Sequence, residues 1–219
     1  MLDKILNDKE VDSIINKVND VIIVDNCGCH GMGHVKRVMN YVETLLTGIG
    51  SDEHTVELGK IAAYLHDIGA IEGKDGHASR SATFASEYLG KLGMPEDDKN
   101  IIVDAIKNHS KGSTSKIGAA LTFADKIDMQ KGRMLRFKEG NYFHDNIKHM
   151  LDIKLEVDNE KIKVDIVTDG MFDYNSLKDY SKMITVPTEM ATYLGRKCVF
   201  AIDGKPIDLY SIVTEQRQR

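Results

Sequence analysis

Tyr64-Leu65-His66-Asp67-Ile68-Gly69 closes an apolar helical run, and how this stretch is read decides the fold. Leu58, Ile61, Ala62 and Leu65 recur at helical spacing, so His66 and Asp67 follow where burial is expected. A carboxylate in a dry site is costly unless it is paired, hydrogen-bonded or bound to a cation. One His-Asp dipeptide in a chain with eight histidines decides nothing by itself. Its weight depends on whether further His and Asp residues fall on buried helix faces either side of it.

Upstream, Val35, Val38, Val42, Leu45, Leu46 and Ile49 form one apolar face, with His34 one turn before Val38 at its edge. Ahead of it, Asp25 to His34 contains Gly28, Gly31 and Gly33 and reads as a loop that allows close backbone approach. Residues 8–19 read as a short amphipathic helix and Val21-Ile22-Ile23-Val24 as an extended segment. Downstream, Ser51-Asp52 caps the helix that ends in His66-Asp67. Residues 70–77 form a polar loop ending in His77, at the start of a helix over 78–91. Pro95 marks a restart. In the next helix Ile102, Ala105, Ile106 and His109 share a face, and beyond it Ile117, Leu121, Ala124 and Asp125 do the same. An imidazole and a carboxylate thus occupy positions where the periodicity calls for aliphatic residues.

After residue 130 the pattern changes. Tyr142 to Leu151 reads as helical. Residues 153–157 and 162–167 alternate with period two around Asp158-Asn159-Glu160-Lys161, a hairpin signal. A helix over 176–194 follows, broken or restarted by Pro187, and then a second hairpin around Asp203-Gly204-Lys205-Pro206. The expected architecture is mainly α: a helical bundle over residues 1–150 and a small α+β appendage over residues 151–219.

Composition narrows the function class. A hydrophobic share of 42% and a charged share of 29% are those of a soluble globular chain. A net charge of −5 argues against a nucleic-acid polymer or an anionic membrane as partner. No apolar run reaches the ~18 residues of a membrane span, and Met1 to Asn19 has no signal-peptide core. A cytoplasmic location is the expectation. Three cysteines do not make a disulfide framework, and Cys27-Gly28-Cys29-His30 is only half a zinc motif; the Cys pair reads as a loop feature, with His30 near the substrate or behind the ligands. The methionines, abundant after residue 128, read as core filler.

Histidine with carboxylate suits first-row transition metals, whereas an oxygen-only Mg2+ site would not need imidazoles. Two ions bridged by a carboxylate lie ~3.5–4 Å apart, and Asp67 is the natural bridge. A lone His on an apolar face is ordinarily a satisfied core residue. The spacing alone leaves both readings open.

His34-Val35-Lys36-Arg37-Val38, then His66-Asp67-Ile68-Gly69, then Ala124-Asp125 resembles the HD-domain superfamily of metal-dependent phosphohydrolases, over residues 25–130. The resemblance implies an HD-domain helical bundle around the metal, with His34, His66, Asp67 and Asp125 as ligands. His77 and His109 match the second-metal ligands of binuclear members, so Asp67 would bridge. The cofactors implied are two divalent transition-metal ions, Fe or Mn, with Zn, Ni or Co able to substitute. The Gly-Tyr-Pro motif of the cyclic-dinucleotide branch is absent.

The expected activity is hydrolysis of a phosphate ester or anhydride, in a nucleotide or another small phosphorylated metabolite, by metal-activated water. Asp67 would act at the metal, and Glu72 or Asp75 as general acid or base. Arg37, Arg80, Lys111 and Arg133 would bind the substrate, with Lys126 and Arg136 as further cations. Two other functions share the same ligands: an HD-type di-iron oxygenase, and a metal-containing regulatory module without turnover. The appendage is free to meet a partner or, in a homodimer, a second copy of the chain.

Overall fold

A computed structural model of the chain describes residues 1–22, 28–112 and 115–215. Two N-terminal helices, α1 (Leu2–Leu6) and α2 (Lys9–Ile22), precede α3 (Met32–Gly48) and α4 (Glu53–Leu65). A 3-10 turn over Ile68–Glu72 leads to α5 (His77–Lys91), α6 (Glu96–Asn108) and α7 (Lys116–Ile127). The expected cap forms, Asp52 accepting from Thr55 N–H at 2.7 Å, and Ser115 caps α7 in the same way, accepting from Gly118 N–H at 3.1 Å. The extended segment expected at 21–24 is helical through Ile22, and its remainder lies outside the described residues.

The C-terminal part runs α8 (Tyr142–Ile147), β1 (Met150–Val157), β2 (Lys161–Thr168), a 3-10 helix over Tyr174–Tyr180, α9 (Lys182–Tyr193), β3 (Lys197–Ile202), β4 (Lys205–Ile207) and α10 (Leu209–Thr214). Both expected hairpins form. Asp203 and Gly204, at φ 50° and 79°, make the tight turn between β3 and β4. A parallel pairing of β2 with β3 joins the hairpins into one sheet of order β1-β2-β3-β4.

Three boundaries differ from expectation. The helix at Tyr142 stops at Ile147, and Met150 and Leu151 already belong to β1. Pro187 does not break its helix. It lies inside α9, where buried Ile184, Pro187, Met190 and Ala191 pack toward α7 and offset the lost backbone hydrogen bond. Leu209 and Tyr210, expected to end the last strand of the second hairpin, open α10 instead. A single apolar cluster runs from Ile5 through Leu65, Phe123 and Ile153 to Val213, so bundle and sheet share one core. No helix among the described residues is long and apolar enough to cross a membrane.

Candidate metal centre

Each of the four histidines expected as ligands presents Nε2 inward because its Nδ1 is already engaged. His66 and His109 sit at the C-caps of α4 and α6. Each turns Nδ1 back onto the carbonyl three residues earlier, Ala63 O at 2.7 Å and Ile106 O at 2.6 Å. His77, the first residue of α5, does the same with Lys74 O at 2.7 Å. A carbonyl oxygen only accepts, so Nδ1 carries a proton and donates it in all three rings. In the neutral ring Nε2 is left with a lone pair. His34, in the first turn of α3, is oriented across the fold instead: its Nδ1 lies 2.6 Å from Asp128 Oδ2.

These nitrogens converge on Asp67. Its Oδ2 lies 3.4 Å from His34 Nε2 and 3.2 Å from His66 Nε2. Its Oδ1 lies 3.1 Å from His77 Nε2 and 3.7 Å from His109 Nε2. Asp125 Oδ1 is 3.3 Å from His34 Nε2. Two groups able to hold a metal result: His34, His66, Asp67 and Asp125, and Asp67, His77 and His109, the donor atoms of each within 4.8 Å of one another. Asp67 belongs to both. His77 is half-buried and the others are buried.

The donor set fits a divalent transition metal. The Nε2 atoms of His34 and His66 are 3.2 Å apart, as are those of His77 and His109. Facing lone pairs at that distance repel unless a cation or a proton stands between them. Asp67 Oδ1 is buried and has no hydrogen-bond partner among the described residues, a state that coordination would relieve.

Charge is balanced around these atoms. Burial opposes ionisation of Asp67, yet His66 and His30 hold its carboxyl well below the usual range. Burial likewise opposes Asp125, and Lys126, its Nζ 2.7 Å from Oδ2, with His34 draws it well down. His34 is pushed toward neutrality by burial, but Asp125, Asp128 and Asp67 raise its pKa well above the ordinary value. His77 is raised by Asp67 against burial. His109 is lowered to about 4, by burial first and His66 second.

Asp128, not singled out in the sequence, and His30, expected near the substrate or behind the ligands, complete the centre. Asp128 holds His34 and is itself clamped by Arg37, Nε to Oδ1 at 2.7 Å and Nη2 to Oδ2 at 3.0 Å. Its signal was its place three residues after Asp125, on the same side of the chain as α7 ends. His30 Nδ1 lies 2.6 Å from Asp67 Oδ2. It sits in a glycine-rich stretch without periodicity, placed by Asn19, whose Oδ1 accepts from His30 N–H and Gly31 N–H.

The six expected ligands are brought together. The expected substrate contacts are not all at the site. Arg37 is committed to Asp128. Arg80 grips the loop after the 3-10 turn, donating to the carbonyls of Gly69, Gly73 and Asp75. Lys111 and Arg133 line a cavity of about 600 Å³ that opens over Asp67 and Asp125, and Asp75 lines it too. Glu72 does not line it and is exposed beside Arg80. Lys74, Lys107 and Lys126 add to its positive lining, while Met134, Phe143, Ile147, Tyr180 and Met183 give it an apolar part. Met134 and Met183 thus serve the cavity rather than only the core.

Residues 31–134 match the model of the HD domain. A solved structure of a predicted HD superfamily hydrolase from an uncultured Thermotogales bacterium is similar at 26% identity, over 56% of this chain and 68% of that one, with a TM-score of 0.46. No curated protein matches the chain.

Proposed function

We infer, from the match of residues 31–134 to the HD-domain model, that this chain is a metal-dependent hydrolase, and we propose that it cleaves phosphate esters or anhydrides of small molecules, nucleotides among them. One observation carries the reading: Asp67 turns one oxygen to each of two histidine groups, beneath a cavity lined by Lys74, Lys107, Lys111, Lys126 and Arg133. We propose two divalent ions, with Asp67 as the bridge, His34, His66 and Asp125 on one and His77 and His109 on the other. Such ions supply a water of lowered pKa and neutralise phosphoryl charge.

The chain's own groups do the rest. Arg133 Nη2 is 3.2 Å from Asp125 Oδ1, while its buried Nη1 lies 3.6 Å from Asp128 Oδ2 and makes no hydrogen bond among the described residues. That leaves a donor for a phosphoryl oxygen, and guanidinium suits such an acceptor. Lys111 and Lys126 add positive charge along the cavity. Asp75, exposed on the cavity rim, is the candidate to exchange a proton with the leaving group. Arg37 and Arg80 act through position: one fixes Asp128, the other the loop before His77.

The test is a panel of nucleotides and dinucleoside polyphosphates with added Mn2+ or Fe2+, run with and without oxygen. Hydrolysis is expected, as free phosphate from monoesters and as shorter nucleotides from anhydrides, equal in both atmospheres and abolished by Asp67→Ala in a protein of unchanged helical content. No hydrolysis of any substrate would sink the proposal, and turnover that requires oxygen would point to an oxygenase instead.

A further inference from the structure

His144 lies beyond the HD-domain match, on α8, and is 7% exposed. Its backbone N–H is held by the N-cap Asn141, whose Oδ1 accepts it at 3.0 Å. Its ring is set by Lys138, whose N–H donates to Nδ1 at 2.9 Å. Because Nδ1 accepts, the ring proton is on Nε2. Nε2 has no hydrogen-bond partner among the described residues, and the side chain lines the same cavity as Asp67 and Asp125. Burial, and then the charge of Lys138, favour the neutral ring. His144 is therefore built to donate a hydrogen bond rather than to deliver a proton.

Its surroundings are apolar. Phe143 stacks on Tyr180 with ring centroids 3.8 Å apart and planes at 29°. Both rings line the cavity, beside Met134 and Met183. Thioethers and aromatic rings favour contact with a flat apolar surface. The cations of the cavity come from residues 74–133, whereas this surface comes mostly from residues 134–183. Phosphate and organic group are thus served by different parts of the chain.

We propose that His144 and the Tyr180 surface select the organic part of the substrate: a flat ring carrying a hydrogen-bond acceptor, attached to the phosphate. The inference rests on the phosphate-ester reading for the other end of the ligand. Its test does not depend on turnover. Calorimetric binding to the manganese-loaded protein is measured for methylphosphonate, phenylphosphonate and the three pyridylphosphonates, which offer a ring nitrogen at each position in turn. Phenylphosphonate is expected to bind at least tenfold tighter than methylphosphonate, and one pyridyl isomer several-fold tighter again. Tyr180→Ala should remove the first advantage. His144→Leu should remove the second and His144→Gln, which keeps an N–H donor, should restore part of it. Methylphosphonate affinity should stay the same in every variant. Equal binding of methyl and phenyl probes, no binding of any probe, or ring and acceptor advantages that survive these substitutions would overturn the proposal. Failure of every substrate in the hydrolysis panel, with the phosphonate ranking intact, would refute the hydrolase reading and leave the selection surface standing.

Discussion

Asp128 would act on a bound metal through His34. Its carboxylate fixes the Nδ1 side of the ring, and Arg37 fixes the carboxylate. Such partners of a metal-binding histidine set ring orientation and basicity, and their loss costs roughly 10–100-fold in metal affinity. Asp128→Asn should show that loss by competition with a chelator, with little change in helical content. Proton linkage gives a second expectation at this scale. His34 and His77 have raised pKa values, so below about 6.5 each ring holds a proton that an ion at the site would have to displace. Binding must displace it, and affinity falls about tenfold per pH unit for each proton released. His109, lowered to about 4, is already neutral and releases none. Metal titration in buffers of different ionisation enthalpy should therefore report proton release that grows as pH falls. Stability of the metal-free protein follows the same shifts. The contribution of Asp128, whose pKa is depressed, is present above the ordinary carboxylate range and lost as pH falls through its folded value. That of His34, whose pKa is raised, is present below about 6.5 and lost as pH rises through its folded value.

Between elements, the seating of α5 on the 3-10 turn decides whether the second histidine group exists. Gly69 makes the seating possible. A Cβ there would stand 2.5 Å from Ser81 N and 2.7 Å from His77 O. Gly69 N–H donates to Ser81 Oγ at 2.9 Å and its carbonyl accepts from Arg80 Nε at 2.9 Å, so helix and turn are latched from both sides. Gly69→Ala must push α5 outward and carry His77 with it. The expected cost is about 1–3 kcal/mol in denaturant unfolding. Metal titration should show the His77–His109 side weakened more than the His34–Asp125 side. Equal weakening of both would show that the turn does not control the second group separately. From the sequence, Gly69 reads as a helix stop. Its close approach to α5 is invisible there, because Ser81 is twelve residues away and on a different element.

For the whole molecule, the candidate metal ligands come from α3, α4, α5, α6 and α7 or their ends, so an ion bound there would tie these elements together. A ligand that binds only the folded state at 100 times its Kd adds ~2.7 kcal/mol. Removing metal with a chelator should lower Tm by several degrees, and Mn2+ should restore it. An unchanged Tm would mean that the buried histidines need no ion to meet. The helices were legible from the chain, because buried faces repeat at the helical period; His34, His109 and Asp125 showed as polar residues on those faces, but spacing left a metal site open and the set of six candidates came from the resemblance to the HD-domain superfamily. His66, His77 and His109 orient through carbonyls three residues away, which local sequence also carries. What the tertiary structure alone decided lies in long-range pairs: Asp128 on His34, His30 on Asp67, the parallel register of β2 with β3, and the placing of Phe143, His144 and Tyr180 over the cavity. Periodicity reports which face of an element is buried, not which distant face it meets. That choice is made by packing and by the pairing of buried charges, both of which act through space rather than along the chain.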